Sequence, residues 1–149
     1  MFRQDITHLQ LFQGLNSQQL SLLEPILEIC QFAQDQTIFE QGQQAEYLYI
    51  LLRGEVVIRY KPYDGPPLTV AHILPSGVFG WSAAMAREVY TSCAVTVAAS
   101  EAFRISSAQL RSLCECNPEA GQLLLDRLAS MIAERLQHTH KQIMSILSQ

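Results

Sequence analysis

From Thr37 to Ile105 the chain is a succession of short apolar runs rich in β-branched and aromatic residues. Ile38-Phe39, Tyr47 to Ile50, Val56 to Ile58, Val70, Ile73, Val95, Val97, Phe103 and Ile105 carry this texture. Turn formers stand between them: Gln41-Gly42, Arg53-Gly54, Asp64-Gly65-Pro66-Pro67, Pro75-Ser76-Gly77 and Ser100-Glu101. Glycine and proline at such intervals end each run and reverse the chain, so the segment predicts about seven or eight short strands in a sandwich or barrel.

Both flanks read as helix. Asn16 with Gln19 three residues later resembles a capping box, and Leu20, Leu23 and Leu27 follow at helical spacing. Pro25 falls inside that pattern and divides it into two pieces. After Ile105, Ser106 or Ser107 can cap a short helix through Leu110 and Leu113, and Asn117-Pro118 then supplies an N-cap with proline at the first helical position. From there Leu125, Leu128, Ile132, Leu136, Thr139, Ile143 and Ile146 recur every three or four residues, uninterrupted by glycine or proline. Roughly 30 residues at about 1.5 Å each make about 45 Å, longer than a small barrel is wide. The far half needs a second surface, and another copy of the same helix supplies one. Leu125, Leu128, Ile132, Leu136 and Ile143 are therefore assigned to a homodimer interface. The expected organisation is one structural domain, with a helical segment over 1–36, a β core over 37–105 and C-terminal helices over 106–149.

Composition limits what such a domain can do. A net charge of −4 with 16% charged residues gives no cluster of lysine and arginine for a phosphate backbone, so direct nucleic-acid binding is not expected. No run of apolar residues is long enough to span a bilayer, and the N-terminus lacks the pattern of a signal peptide. With Cys30, Cys93, Cys114 and Cys116 in segments that read as core or helix, the expectation is a reduced, cytoplasmic protein. Cys114 and Cys116 with His138 and His140 have the residue types of a zinc site, but the thiolate spacing is too short, and no metal is expected. No nucleophile and base stand in a supporting frame, and no phosphate loop is visible, so the chain does not read as an enzyme.

The stretch from Gly42 to Val56 has a glycine turn, a small residue (Ala45) three positions on, a run of four apolar residues, two of any type and a second glycine, Gly54. It resembles the first signature of cyclic-nucleotide-binding domains. Leu11 to Leu15 and Ile38 to Gly42 are similar to that family's entry helix and first strand, and the resemblance runs from about Leu11 to Gln142. It implies a mainly β fold with flanking helices, a double-stranded β-helix (jelly roll) followed by a long C-terminal helix, with a regulatory, ligand-sensing function. In the family, a short helical turn between strands holds the cyclic phosphate on a glycine and the following amides. Its counterpart here is Val78 to Cys93, in which Phe79, Gly80 and Ala83 match. The acid that meets the ribose hydroxyl is replaced by Trp81, and the phosphate-pairing arginine by Tyr90. Tight binding of cyclic AMP or cyclic GMP is accordingly not expected. Arg87, three residues before Tyr90, is a candidate replacement.

The resemblance further implies that Arg135 and Thr139, one helical turn apart, face the ligand at the dimer interface, as in Crp-type bacterial regulators. The expected ligand site comprises Phe79, Gly80, Trp81, Ser82, Ala83, Ala84, Tyr90, Thr91, Ser92, Arg135 and Thr139. Its ligand is expected to be a cyclic nucleotide or another small anionic molecule, the anionic or polar end on the amides of Gly80 to Ala84. Tyr90 contributes one neutral donor, and a flat portion sits between Trp81 and the Arg135/Thr139 face. The family's transcription factors continue into a helix-turn-helix, whereas this sequence stops at Gln149; any output to DNA is expected through a separate protein partner. Two rivals remain: an assembly module whose pocket Trp81 and Tyr90 fill, and a cupin-like metalloenzyme, for which His72 is the lone histidine in the strand region.

Overall fold

The computed structural model describes Ile6 and residues 8–85 and 87–147. Among the described residues there are eight strands: β1 (Glu28–Phe32), β2 (Thr37–Phe39), β3 (Tyr47–Arg53), β4 (Val56–Tyr60), β5 (Leu68–Ile73), β6 (Val78–Phe79), β7 (Cys93–Thr96) and β8 (Ser100–Ser106). They form two four-stranded antiparallel sheets, ordered β1-β8-β3-β6 and β2-β7-β4-β5. Helices α1 (Ser17–Leu23), α2 (Ser107–Cys116) and α3 (Pro118–Leu147) flank them, giving the expected mainly β fold with a long C-terminal helix. Among the described residues no helix is long and apolar enough to cross a membrane.

Strand alternation divides the core in two. Leu48 and Ile50 of β3 join Phe103 and Ile105 of β8 against the helices, while Tyr49 and Leu51 point to the opposite face and pack with Phe39, Val56, Ile58 and Phe79. A slip of one residue would exchange these sets, so the register is fixed by burial on both faces of β3. The local helix signals act as read. Asn16 Oδ1 accepts from the Gln19 amide at 2.8 Å and Gln19 Oε1 from the Asn16 amide at 2.9 Å, completing the capping box of α1. At Pro25 the helix gives way to a 3₁₀ turn, Glu24–Ile26. Ser106, rather than Ser107, caps α2 through a 3.1 Å bond from the Gln109 amide.

Two expectations need correcting. The segment 1–36 is not helical throughout: Glu28 to Phe32 form β1, paired in register with Arg104 to Ser100 of β8. Every β1 residue is at least partly exposed, so its sequence lacks the strong alternation that marks a half-buried strand. Leu128 is not an interface residue, because at 4% exposure it belongs to the chain's own core with Leu124 and Met131. Ile132 is half-buried against the same core, whereas Leu125 and Leu136 are exposed at 37% and 61%. The side chains of Ile143 and Thr139 lie outside the described residues. The first half of α3 is further held by Arg127, whose Nε donates to the Gln10 carbonyl at 3.0 Å and whose second nitrogen donates to Gln13 Oε1 at 2.7 Å.

Candidate ligand cavity

The glycine turn before β3 anchors the loop that carries the candidate site. The Gly42 amide donates to the Tyr90 carbonyl at 2.8 Å, the Tyr90 amide to the Gln43 carbonyl at 2.9 Å, and the Ala45 amide to the Glu88 carbonyl at 2.9 Å. Gly42 has φ +88°, a conformation that strains any other residue, and Ala45 is buried, so a larger side chain at Ala45 would push the two loops apart. A second glycine ends β6: Gly80 sits at φ +74° and launches the 3₁₀ turn Trp81–Ala84. A Cβ on Gly80 would lie 3.0 Å from the Tyr47 carbonyl oxygen and 3.2 Å from the Tyr49 ring, so a side chain here would be strained by the positive φ and would press on its neighbours.

Between this turn, β2, β4, β5 and α3 lies a cavity of about 400 Å³. Of the sequence-predicted ligand residues, Phe79, Gly80, Trp81, Ser82, Tyr90, Thr91, Ser92 and Arg135 line it. Ala83 and Ala84 do not; they border separate grooves against α2. Reading from the sequence missed Phe39, Ile58, Tyr60, Val70 and Ala71, which complete the wall from β2, β4 and β5. The spacing Ile58-x-Tyr60 on β4 is the one local sign that they share a face.

Tyr90 is a wall and a strut. Its ring stacks on Phe39 with centroids 3.7 Å apart, and its hydroxyl donates to the Tyr47 carbonyl at 2.6 Å and accepts from the Tyr47 amide at 3.1 Å. Burial pushes the phenol pKa upward, so it stays protonated. The expectation that Tyr90 donates to a ligand is thereby corrected: its one proton is already used on β3.

Trp81 lines the cavity without filling it, since the open volume remains beside it. The Arg135 guanidinium lies 4.3 Å above its ring and donates to the Val78 carbonyl. This corrects a second expectation, because the slot between Trp81 and Arg135 is occupied by their mutual contact and leaves no room for a flat ligand. Burial lowers the Arg135 pKa to about 10, which still leaves it charged at neutral pH. Among the described residues no carboxylate pairs with it. Arg87 does not substitute for the missing arginine: it is exposed on the far side of the turn, in a groove with Glu46, Glu88 and Arg111. His72 is likewise exposed and meets Glu55 at 2.9 Å, so it does not point inward as a cupin ligand would.

The family profile for the cyclic nucleotide-binding domain matches residues 29–117. A Mycobacterium tuberculosis protein named as a CRP-like cAMP-activated global transcriptional regulator is 27% identical over 137 residues, covering 92% of this chain and 59% of the relative. The chain thus spans about three-fifths of that relative. Among solved structures, a candidate cyclic nucleotide-binding protein from Geobacter metallireducens aligns at a TM-score of 0.77 with 29% identity, covering 90% of this chain and 96% of its own. A cyclic nucleotide-binding domain from Methylobacillus flagellatus aligns at 0.84 with 18% identity, covering 95% and 80% respectively, a likeness of fold.

Proposed function

The chain belongs to the cyclic nucleotide-binding domain family, and from that premise we propose that it is a ligand-sensing regulatory domain, not an enzyme, working in the cytoplasm as a homodimer joined through α3. The observation that carries this reading is the cavity itself. It is walled by barrel residues and by Arg135 and Leu136 of α3, so an occupant touches both the jelly roll and the helix. A ligand that binds one arrangement of barrel and helix better than another shifts the population toward it, which is how occupancy reaches a partner. The exposed Leu125 and Leu136 on α3 are the surface we assign to the second copy. In a reducing compartment the four free cysteines stay as thiols. Output to DNA, in a chain of this charge, falls to a partner or to further sequence.

The Mycobacterium tuberculosis relative is named for activation by cAMP. Here Trp81 and Tyr90 stand where the resemblance places the ribose-binding acid and the phosphate-binding arginine. A phosphate at that turn would lose a charge-assisted bond worth roughly 1.5–3 kcal/mol. Calorimetry is therefore expected to give no sub-micromolar affinity for cyclic AMP or cyclic GMP. A thermal-shift screen of nucleotides and small anions should find a stabilising compound whose effect disappears in Ala71→Phe, which fills the cavity from β5. Light scattering should report a dimer, and Leu136→Glu a monomer, since like charges buried at a seam without partners are strongly unfavourable. Stabilisation that survives Ala71→Phe, a screen without a single stabiliser, or a monomeric parent protein at micromolar concentration overturns the corresponding part of the proposal.

A further inference from the structure

The cavity's surface and its charge give the ligand a definite chemistry. Phe39, Ile58, Val70, Phe79 and Tyr90 present rings and branched carbons to the space. At the 3₁₀-turn end the side-chain donors are the hydroxyls of Ser82, Thr91 and Ser92, all neutral, because the Tyr90 proton is bound to the Tyr47 carbonyl. Among the described residues the single charged one in the lining is Arg135 of α3, which lies over the Trp81 ring. Its described bonds use one N–H on the Val78 carbonyl, and a guanidinium has five. Burial of that charge is unfavourable when no carboxylate among the described residues pairs with it, and an anion brought to it supplies that partner. Rings and branched carbons make up most of the wall, so an apolar body buries well against it.

Resting on the reading that this cavity is the ligand site, we propose that its ligand is a hydrophobic monocarboxylate, its apolar body against Phe39, Ile58 and Val70 and its carboxylate on the Arg135 fork. The anion then rests on the helix guanidinium and not on the amides of the 3₁₀ turn. Occupancy then couples the barrel to α3 through a bond formed by the helix itself. Planar, bidentate pairing of guanidinium with carboxylate favours arginine over lysine here.

The test is calorimetry on the full chain with two acids, 1-naphthoate for an aryl body and decanoate for an alkyl one, each beside its methyl ester. At least one acid should bind, with its ester at least about tenfold weaker, as expected when a charge-assisted pair is lost. This comparison uses the unaltered protein, so it does not depend on a variant folding. Arg135→Gln should abolish the preference for acid over ester, Arg135→Lys should retain part of it, and Ala71→Phe should remove binding of both. The acid that binds identifies the aryl or the alkyl source. An ester that binds as tightly as its acid, or a preference that survives Arg135→Gln, overturns the proposal. If cyclic nucleotides bind in the cavity and neither acid does, the carboxylate is wrong while the sensor reading stands. If nothing binds, both fail.

Discussion

Replacing Tyr90 by phenylalanine separates a structural strut from a ligand donor. The ring remains, and with it the 3.7 Å stack on Phe39, so the hydroxyl alone is removed. Two hydrogen bonds disappear together, the 2.6 Å bond to the Tyr47 carbonyl and the 3.1 Å bond from the Tyr47 amide. At about 1 kcal/mol each, and with both Tyr47 groups left part-buried, the loss is about 2 kcal/mol. For 149 residues, an unfolding entropy of about 2.1 cal/mol/K per residue turns that loss into a Tm drop of roughly 6 °C. Thermal denaturation followed by circular dichroism measures it, with calorimetry against the bound acid as the second readout. Stability should fall while acid affinity stays within about twofold. A Tm within about 1 °C of the parent would refute the assignment of Tyr90 as a strut, and a collapse of affinity alongside it would show that the hydroxyl faces the cavity.

Two further outcomes follow from the fold. Gly54→Ala places a Cβ 2.6 Å from the Ala99 carbonyl oxygen and 2.7 Å from the Ser100 Cα at φ +95°, so urea denaturation should show a loss of about 3 kcal/mol or more; a loss under about 1 kcal/mol would mean that the β3–β4 turn relaxes freely. Glu28 meets Arg104 at 2.5 Å, and that hydrogen bond holds its carboxyl below the ordinary value of 4.5; a depressed acid contributes stability that is present above its unfolded pKa and lost as pH falls through the folded one, so Glu28→Gln should lower Tm at pH 7 and converge with the parent in acid, whereas a constant difference would show that charge is not involved.

Features set within a few residues of one another were legible in the sequence. Asn16 and Gln19 cap α1, Pro25 ends it, Pro118 starts α3, and Gly42 and Gly54 punctuate the strands, because each acts on backbone within about one turn of itself. The jelly roll and its family were readable for the same reason, as a spacing of glycines and apolar runs. β1 was not, since its pairing with β8 joins Glu28 to Arg104, and an exposed edge strand carries little periodicity to announce that partner. The missing acid and arginine were visible at Trp81 and Tyr90, but what replaced them was not. Only the folded chain brings Tyr90 to Tyr47, lays Arg135 of α3 over Trp81, and sets Ile58, Tyr60 and Val70 across from the 3₁₀ turn. A side chain's proton can be given to one acceptor and its ring stacked on one neighbour. Which acceptor and which neighbour depends on residues tens of positions away, brought close by the register of two sheets.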